Sequence, residues 1–128
     1  MNIFKRIPIY IKIYENKIVI HRLDNEKQIS GTAQFSDSRI VFAEFDIVES
    51  LMNRLISKLI PESNGYFSSS LNILVQQLDK NNPKISTVEK RAILESCERV
   101  NGVTVNLIDN LEEISIKKAK EILFDFKN

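Results

Sequence analysis

Glycine and proline each occur three times in 128 residues, and cysteine and histidine once each. So little glycine and proline predicts a chain mostly in regular elements joined by short connections. The lone cysteine, Cys97, excludes a disulfide framework and a cysteine-rich metal site. It reads as a small, half-buried helix residue. Neither sign of charge dominates, since 18 Lys and Arg face 17 Asp and Glu for a net charge of +1. The basic stripe that tracks nucleic acid is missing, and so is the strong acidity of inhibitors that mimic nucleic acid. No apolar run approaches the ~20 residues that span a bilayer, and no hydrophobic signal region precedes a cleavage site. The expectation is a cytoplasmic protein without a nucleic acid partner.

What is present fits one compact unit. With 43% hydrophobic and 27% charged residues, residues 1–128 are expected to form a single domain with a real core. Met1-Asn2-Ile3-Phe4-Lys5-Arg6 is basic and amphipathic, an extension too short to bind a membrane firmly by itself. At most it makes weak membrane-surface contact. Isoleucine, lysine and asparagine are heavily used, as in many AT-rich bacterial and mobile genes.

Ile7, Ile9, Ile11 and Ile13 alternate with Pro8, Tyr10, Lys12 and Tyr14, a period of two that predicts a strand. Glu15-Asn16 suits a two-residue turn, because Asn tolerates the left-handed region. Lys17 to Leu23 is a second strand. After the polar turn Asp24 to Lys27, Gln28 to Phe35 reads as a third, with Ile29, Gly31, Ala33 and Phe35 on one face. Asp46 and Glu49 have the spacing of a helix-opening capping box. Ile47, Val48, Leu51, Met52, Leu55, Ile56, Leu59 and Ile60 then form one helical stripe that Pro61 ends.

Glu62 to Ser70 is the longest irregular stretch, with Asn64-Gly65 as a turn. It carries Tyr66-Phe67, either anchors buried under the loop or an exposed patch that binds a partner. Leu71 to Leu78 is a buried type of strand. Ser86-Thr87-Val88-Glu89 is a second capping box, and its helix turns Val88, Ala92, Ile93, Cys97 and Val100 inward before Asn101-Gly102 stops it. Val103 to Ile108 is a short strand. Ile116, Ala119, Ile122, Leu123 and Phe126 mark a final helix. The order βββ-α-β-α-β-α predicts a mixed sheet of the α/β class, with right-handed crossovers between the later strands. That is the ribonuclease H-like layout.

On these residues the chain resembles a known family. Ile40 to Glu49 followed by a long apolar helix, and Ile85 to Ala92 with its helix, Gly102 and Val105 to Asp109, are similar to the bacterial actin-like rod-shape protein MreB. The likeness covers one subdomain of that larger ATPase, so the chain looks like an actin-type subdomain standing alone. In size it resembles the small enterobacterial YjaA-type proteins, through Tyr10 to Ile13, Asn16, Ile18, Ile29 to Gly31, Ala33, Phe35-Ser36, Arg39, Ala43, Glu49 and Pro61.

The resemblance implies where chemistry would sit. Actin-type ATPases place an acid and then Gly-Thr at the end of the first strand, so that amides approach phosphate and a carboxylate organises Mg²⁺ through water. Here Lys12 takes the acid's place and Tyr14-Glu15 replaces Gly-Thr. A lysine has no lone pair for Mg²⁺ while protonated. A two-metal nuclease needs several converging carboxylates, and Asp79 and Asp109 at strand ends lack that first-strand acid. His21, among Val19 and Leu23, reads as a sheet-face residue without a visible acid–base partner. No nucleotide loop, zinc spacing or nucleophile motif is present. No catalytic, metal or cofactor residue is therefore expected.

The expectation is a non-enzymatic bacterial module that binds another protein, in its most concrete form an immunity protein that inhibits a toxin by direct binding. The alternative is a cell-shape or stress-associated relative of the rod-shape machinery without ATPase activity. Tyr66 and Phe67 are the candidate partner-binding residues. The edge strands of such a sheet can also pair two copies into a homodimer.

Overall fold

The computed structural model describes residues 6–35, 45–61, 70–80, 84–108 and 110–125. The elements are β1 (Ile7–Tyr14), β2 (Lys17–Arg22), β3 (Gln28–Thr32), α1 (Phe45–Leu59), β4 (Leu71–Gln77), α2 (Thr87–Arg99), β5 (Gly102–Ile108) and α3 (Ile116–Asp125). They form one sheet in the order β3-β2-β1-β4-β5. The β1–β2 and β2–β3 pairs are antiparallel, whereas β1–β4 and β4–β5 are parallel.

The isoleucine alternation sorts the two faces. Ile7, Ile9, Ile11 and Ile13 join Ile18, Ile20, Ile73 and Val75 in the larger core, which α1 covers with Val48, Leu51, Met52, Leu55, Ile56 and Leu59. Ala92, Ile93, Cys97 and Val100 of α2 and its cap complete that layer. The opposite face is smaller, with Tyr10, Leu23 and Leu74 packed under Ala119 and Leu123 of α3. Burying a residue such as Ile11 or Leu123 contributes roughly 1.5–3 kcal/mol, so the side with more such residues dominates stability.

Two polar devices close the frame. Asn16 takes the left-handed conformation of the β1–β2 turn, with φ 53°. Its side-chain oxygen accepts the Phe35 N–H at 2.9 Å and its carbonyl accepts the Ala33 N–H at 3.1 Å. Buried Arg22 reaches Asp24 with Nε and Nη2, at 2.7 and 3.2 Å, and donates through Nη1 to the Leu59 carbonyl at 3.4 Å. This places a cation at the carbonyl end of α1, where the helix dipole favours one.

Several expectations are revised. The third strand ends at Thr32 instead of Phe35, because the Ala33 and Phe35 amides turn to Asn16. Helix α1 opens at Phe45, so Asp46 lies inside its first turn, and Glu49 pairs with Arg99 of α2 at 3.2 Å. Ile47 is 38% exposed, on the lip of a shallow groove with Ala33, Ser50 and Arg54. The box at α2 forms as expected, but Val88 points outward, 72% exposed. The reason lies in the box itself. Glu89 must turn in to reach the Ser86 backbone N–H at 3.2 Å, and its neighbour is then rotated about 100° away. Cys97 is fully buried, 1% exposed, instead of half-buried. Phe126 falls outside the described residues.

Candidate functional site

In open α/β sheets, ligands bind in the crevice beyond the carboxyl ends of the parallel strands. In this chain β1 and β4 end side by side, with Ile13 paired to Gln77. A cleft of about 430 Å³ lies there, lined by Tyr14, Leu78, Lys80, Leu111, Glu112 and Glu113. Beneath it, on the α3 side of the sheet, Tyr10, Lys12 and Tyr14 of β1 form a row of polar side chains.

Lys12 is buried, and its Nζ lies 3.2 Å from Glu113 Oε1. The Tyr14 hydroxyl donates to that same oxygen at 2.5 Å. This hydrogen bond and the Lys12 ammonium hold the Glu113 carboxyl below its ordinary value. Burial, followed by the bond to Glu113, raises the Tyr14 phenol. Behind them the Tyr10 hydroxyl donates to Gln76 Oε1 at 2.5 Å, and burial pushes Tyr10 up to about 12. Gln76 Nε2 in turn donates to the Asn110 carbonyl at 3.0 Å, to Asn110 Oδ1 at 3.2 Å and to the Glu112 carbonyl at 2.8 Å. Gln76 thereby fixes the connection that carries Glu113.

His21 stacks on Tyr10 with ring centroids 5.9 Å apart and planes at 25°. Its Nε2 is buried without a hydrogen-bond partner. Burial lowers its pKa, and the nearby Lys12 charge adds to the effect. Among the described residues, Nε2 of this imidazole, stacked against a phenol, meets no proton-relay partner.

The arrangement can be tested against the Mg²⁺–nucleotide chemistry of the actin-type ATPases. A divalent ion in this place needs carboxylates with open oxygen lone pairs. Glu113 Oε1 instead accepts from the Lys12 ammonium and the Tyr14 phenol, two side chains of β1. The turn after β1 is closed as well, since the Asn16 oxygens face the Ala33 and Phe35 amides. Among the described residues no three His, Cys, Asp or Glu side chains gather as a metal site. Among the described residues, no set of converging open carboxylates suits the metal–nucleotide group.

Lys12 and Tyr14, singled out by the sequence as replacements, come together on Glu113. Buried Asp79 follows β4, where its backbone N–H donates to Gln77 Oε1. Asp109, Tyr66, Phe67 and residues 1–5 lie outside the described residues, while Arg6 donates to Thr104 Oγ1 at 2.8 Å. Glu113 and Gln76 escape a sequence reading. Gln76-Gln77 inside the buried run Leu71 to Leu78 was a signal for a polar contact. Glu113, 101 residues from Lys12, left none.

No protein-family model matches the chain. YjaA of Escherichia coli (strain K12), an uncharacterised protein, is 31% identical over 90 residues, covering 68% of this chain and 71% of YjaA. The chain belongs to the YjaA family. Among solved structures, the ethanolamine utilization protein EutJ from Carboxydothermus hydrogenoformans aligns with a TM-score of 0.56 at 11% identity, over 79% of this chain and 36% of EutJ. The PPX-GPPA enzyme of Aquifex aeolicus aligns with a TM-score of 0.45 at 12% identity, over 80% of this chain and 36% of that one. The chain thus spans about a third of either structure. The EutJ likeness is one of fold, the actin-like, ribonuclease H-like mixed sheet expected from the element order. This YjaA-family chain has no helix, among its described residues, long and apolar enough to cross a membrane.

Proposed function

We propose that this YjaA-family chain is a non-catalytic protein-interaction domain acting in the bacterial cytoplasm, an actin-type subdomain whose ligand place serves as internal structure. The observation that supports the reading is the Lys12–Glu113–Tyr14 cluster. It neutralises from within the position at which a nucleotide-binding relative of this fold would need free acceptors and an open turn. The concrete form is an immunity-type inhibitor that neutralises a toxin by occluding it, through an interface of about 1,600 Å² in the usual range. Tyr66 and Phe67 are its proposed contact residues.

Thermal unfolding of the purified protein with and without Mg²⁺ and ATP tests the non-catalytic part. A ligand at 100 times its Kd adds ~2.7 kcal/mol to stability, enough to raise the melting temperature by several degrees. No rise is expected, and a reproducible one overturns the reading. For the partner, the product of the adjacent open reading frame is mixed with the protein and binding is measured by calorimetry. Complex formation that is weakened by Tyr66→Ser with Phe67→Ser, in a domain that still folds, is the expected result. The alternative form, a relative of the rod-shape machinery without ATPase activity, predicts that Phe4→Asp lowers the membrane-associated fraction, in line with the basic, amphipathic residues 1–6.

A further inference from the structure

We propose that Lys12 and Tyr14 form a carboxylate-binding site that Glu113 fills in the free chain, and that an acidic side chain of the bound partner displaces Glu113 from it. Such an exchange rests on the non-catalytic reading above, since the place must then hold no nucleotide. The two donors are fixed. Lys12 and Tyr14 project from one face of β1, the central strand of the sheet, two residues apart. Their ammonium and hydroxyl meet at a single oxygen, Glu113 Oε1, at 3.2 and 2.5 Å. The Lys12 side chain is only 11% exposed, and a lysine is seldom buried so far without a partner.

The acceptor is held differently. Glu113 lies in the irregular connection between β5 and α3, and its side chain is 53% exposed. Gln76 grips the carbonyls of Asn110 and Glu112, so the Glu113 side chain can turn out to solvent while the connection stays in place. An ion pair with a solvent-exposed member contributes little. Losing Glu113 is therefore cheap if another carboxylate takes over both donors, and costly if the buried ammonium is left bare. Room for the newcomer is the cleft of about 430 Å³ beside Tyr14 and Glu113. Lys80 stands in its wall as a second cation, and Leu78 and Leu111 offer apolar surface to the methylenes of an acidic side chain. Lys17 adds a third cation, its Nζ 5.7 Å from the centre of the Tyr14 ring, against the opposing charge of Glu112. Glu113 itself shows the chemistry of the occupant: a carboxylate on a short aliphatic arm, carried by a polypeptide.

Propionate, the Glu113 side chain freed of its backbone, is the first probe. Glu113→Ala is expected to lower the melting temperature, and propionate to restore it where chloride at equal ionic strength does not. In the double variant Lys12→Met with Glu113→Ala, which leaves no bare ammonium, the rescue is expected to vanish from a protein that still folds. Rescue that fails in Glu113→Ala, or that persists without Lys12, overturns the site. Displacement is measured in the wild type, from the carboxyl ¹³C resonance of Glu113 on titration with a capped peptide holding a single glutamate. The resonance is expected to move to the position of a free glutamate, and the same peptide with glutamine to leave it in place. A resonance that does not move makes the contact purely structural and overturns the exchange. Displacement by propionate at lower concentration than by the peptide assigns the site to a small acid and overturns the partner's side chain as the occupant. A melting rise with Mg²⁺ and ATP sinks the non-catalytic reading instead, so the two failures are told apart.

Discussion

Gln76 has no exposed surface, and a buried amide of this kind is tolerated only because both of its ends are bonded. The Tyr10 hydroxyl satisfies Oε1, and the 110–112 backbone satisfies Nε2. Tyr10→Phe keeps the ring, its packing and its stacking on His21, but leaves Oε1 buried without a donor. The expected loss is about 1–3 kcal/mol, read from the shift of the urea midpoint at constant slope. The titrating residues nearby give a pH dependence. His21 and Glu113 both bind protons less readily in the folded chain than their ordinary values of 6.5 and 4.5 imply. The unfolded chain therefore gains protons first as pH falls. Stability present above pH 6.5 is lost as the pH drops through the folded value of His21, with a second loss below 4.5 from Glu113. Tyr10 has the opposite sign. Its pKa is raised from 10.0 to about 12, so its contribution is complete below pH 10 and fades toward 12. Urea midpoints from pH 4 to pH 11 should show both flanks, and His21→Gln should remove the step nearest neutrality.

At the scale of elements, the two tight glycines separate backbone from side-chain crowding. A Cβ on Gly102 would stand 2.6 Å from the Cys97 carbonyl oxygen and 2.7 Å from Ile73 Cδ1. One on Gly31 would meet the ends of Leu51 and Leu55, at 2.9 and 3.1 Å. Leucine tips can rotate and a helix carbonyl cannot, so Gly102→Ala is expected to cost about 1–3 kcal/mol and Gly31→Ala distinctly less. Chemical unfolding of the two variants side by side checks the order. Elements were legible in the sequence where one local pattern decided them. The isoleucine alternation delivered β1, Asn16 the turn, and Ser86 with Glu89 the start of α2. What failed was the direction of single side chains at helix starts, Ile47 and Val88, because apolar character marks a stripe without marking its rim. The candidate site was legible by half. Lys12 and Tyr14 stood out by their departure from an expected acid and glycine. Glu113, which binds both, depends on a contact across almost the whole chain that no local pattern encodes.

For the molecule as a whole, β1 has strands on both sides and helices over both faces, while β3 and β5 have, among the described residues, a ladder on one side. Native-state hydrogen exchange should therefore be slowest for the β1 amides of Ile9 to Ile13 and faster along β3 and α3. Amides of β3 that exchange as slowly as those of β1 would contradict this ranking. The central place of β1 also bears on biosynthesis. The ribosome makes this strand before both of its neighbours, and the second of them, β4, comes only after residue 70. At roughly 5–20 residues per second, the nascent chain spends several seconds with one edge of its most apolar strand open. During that interval Ile9, Ile11 and Ile13 should be open to chaperones, and translation that stalls before β4 should leave a fragment that aggregates.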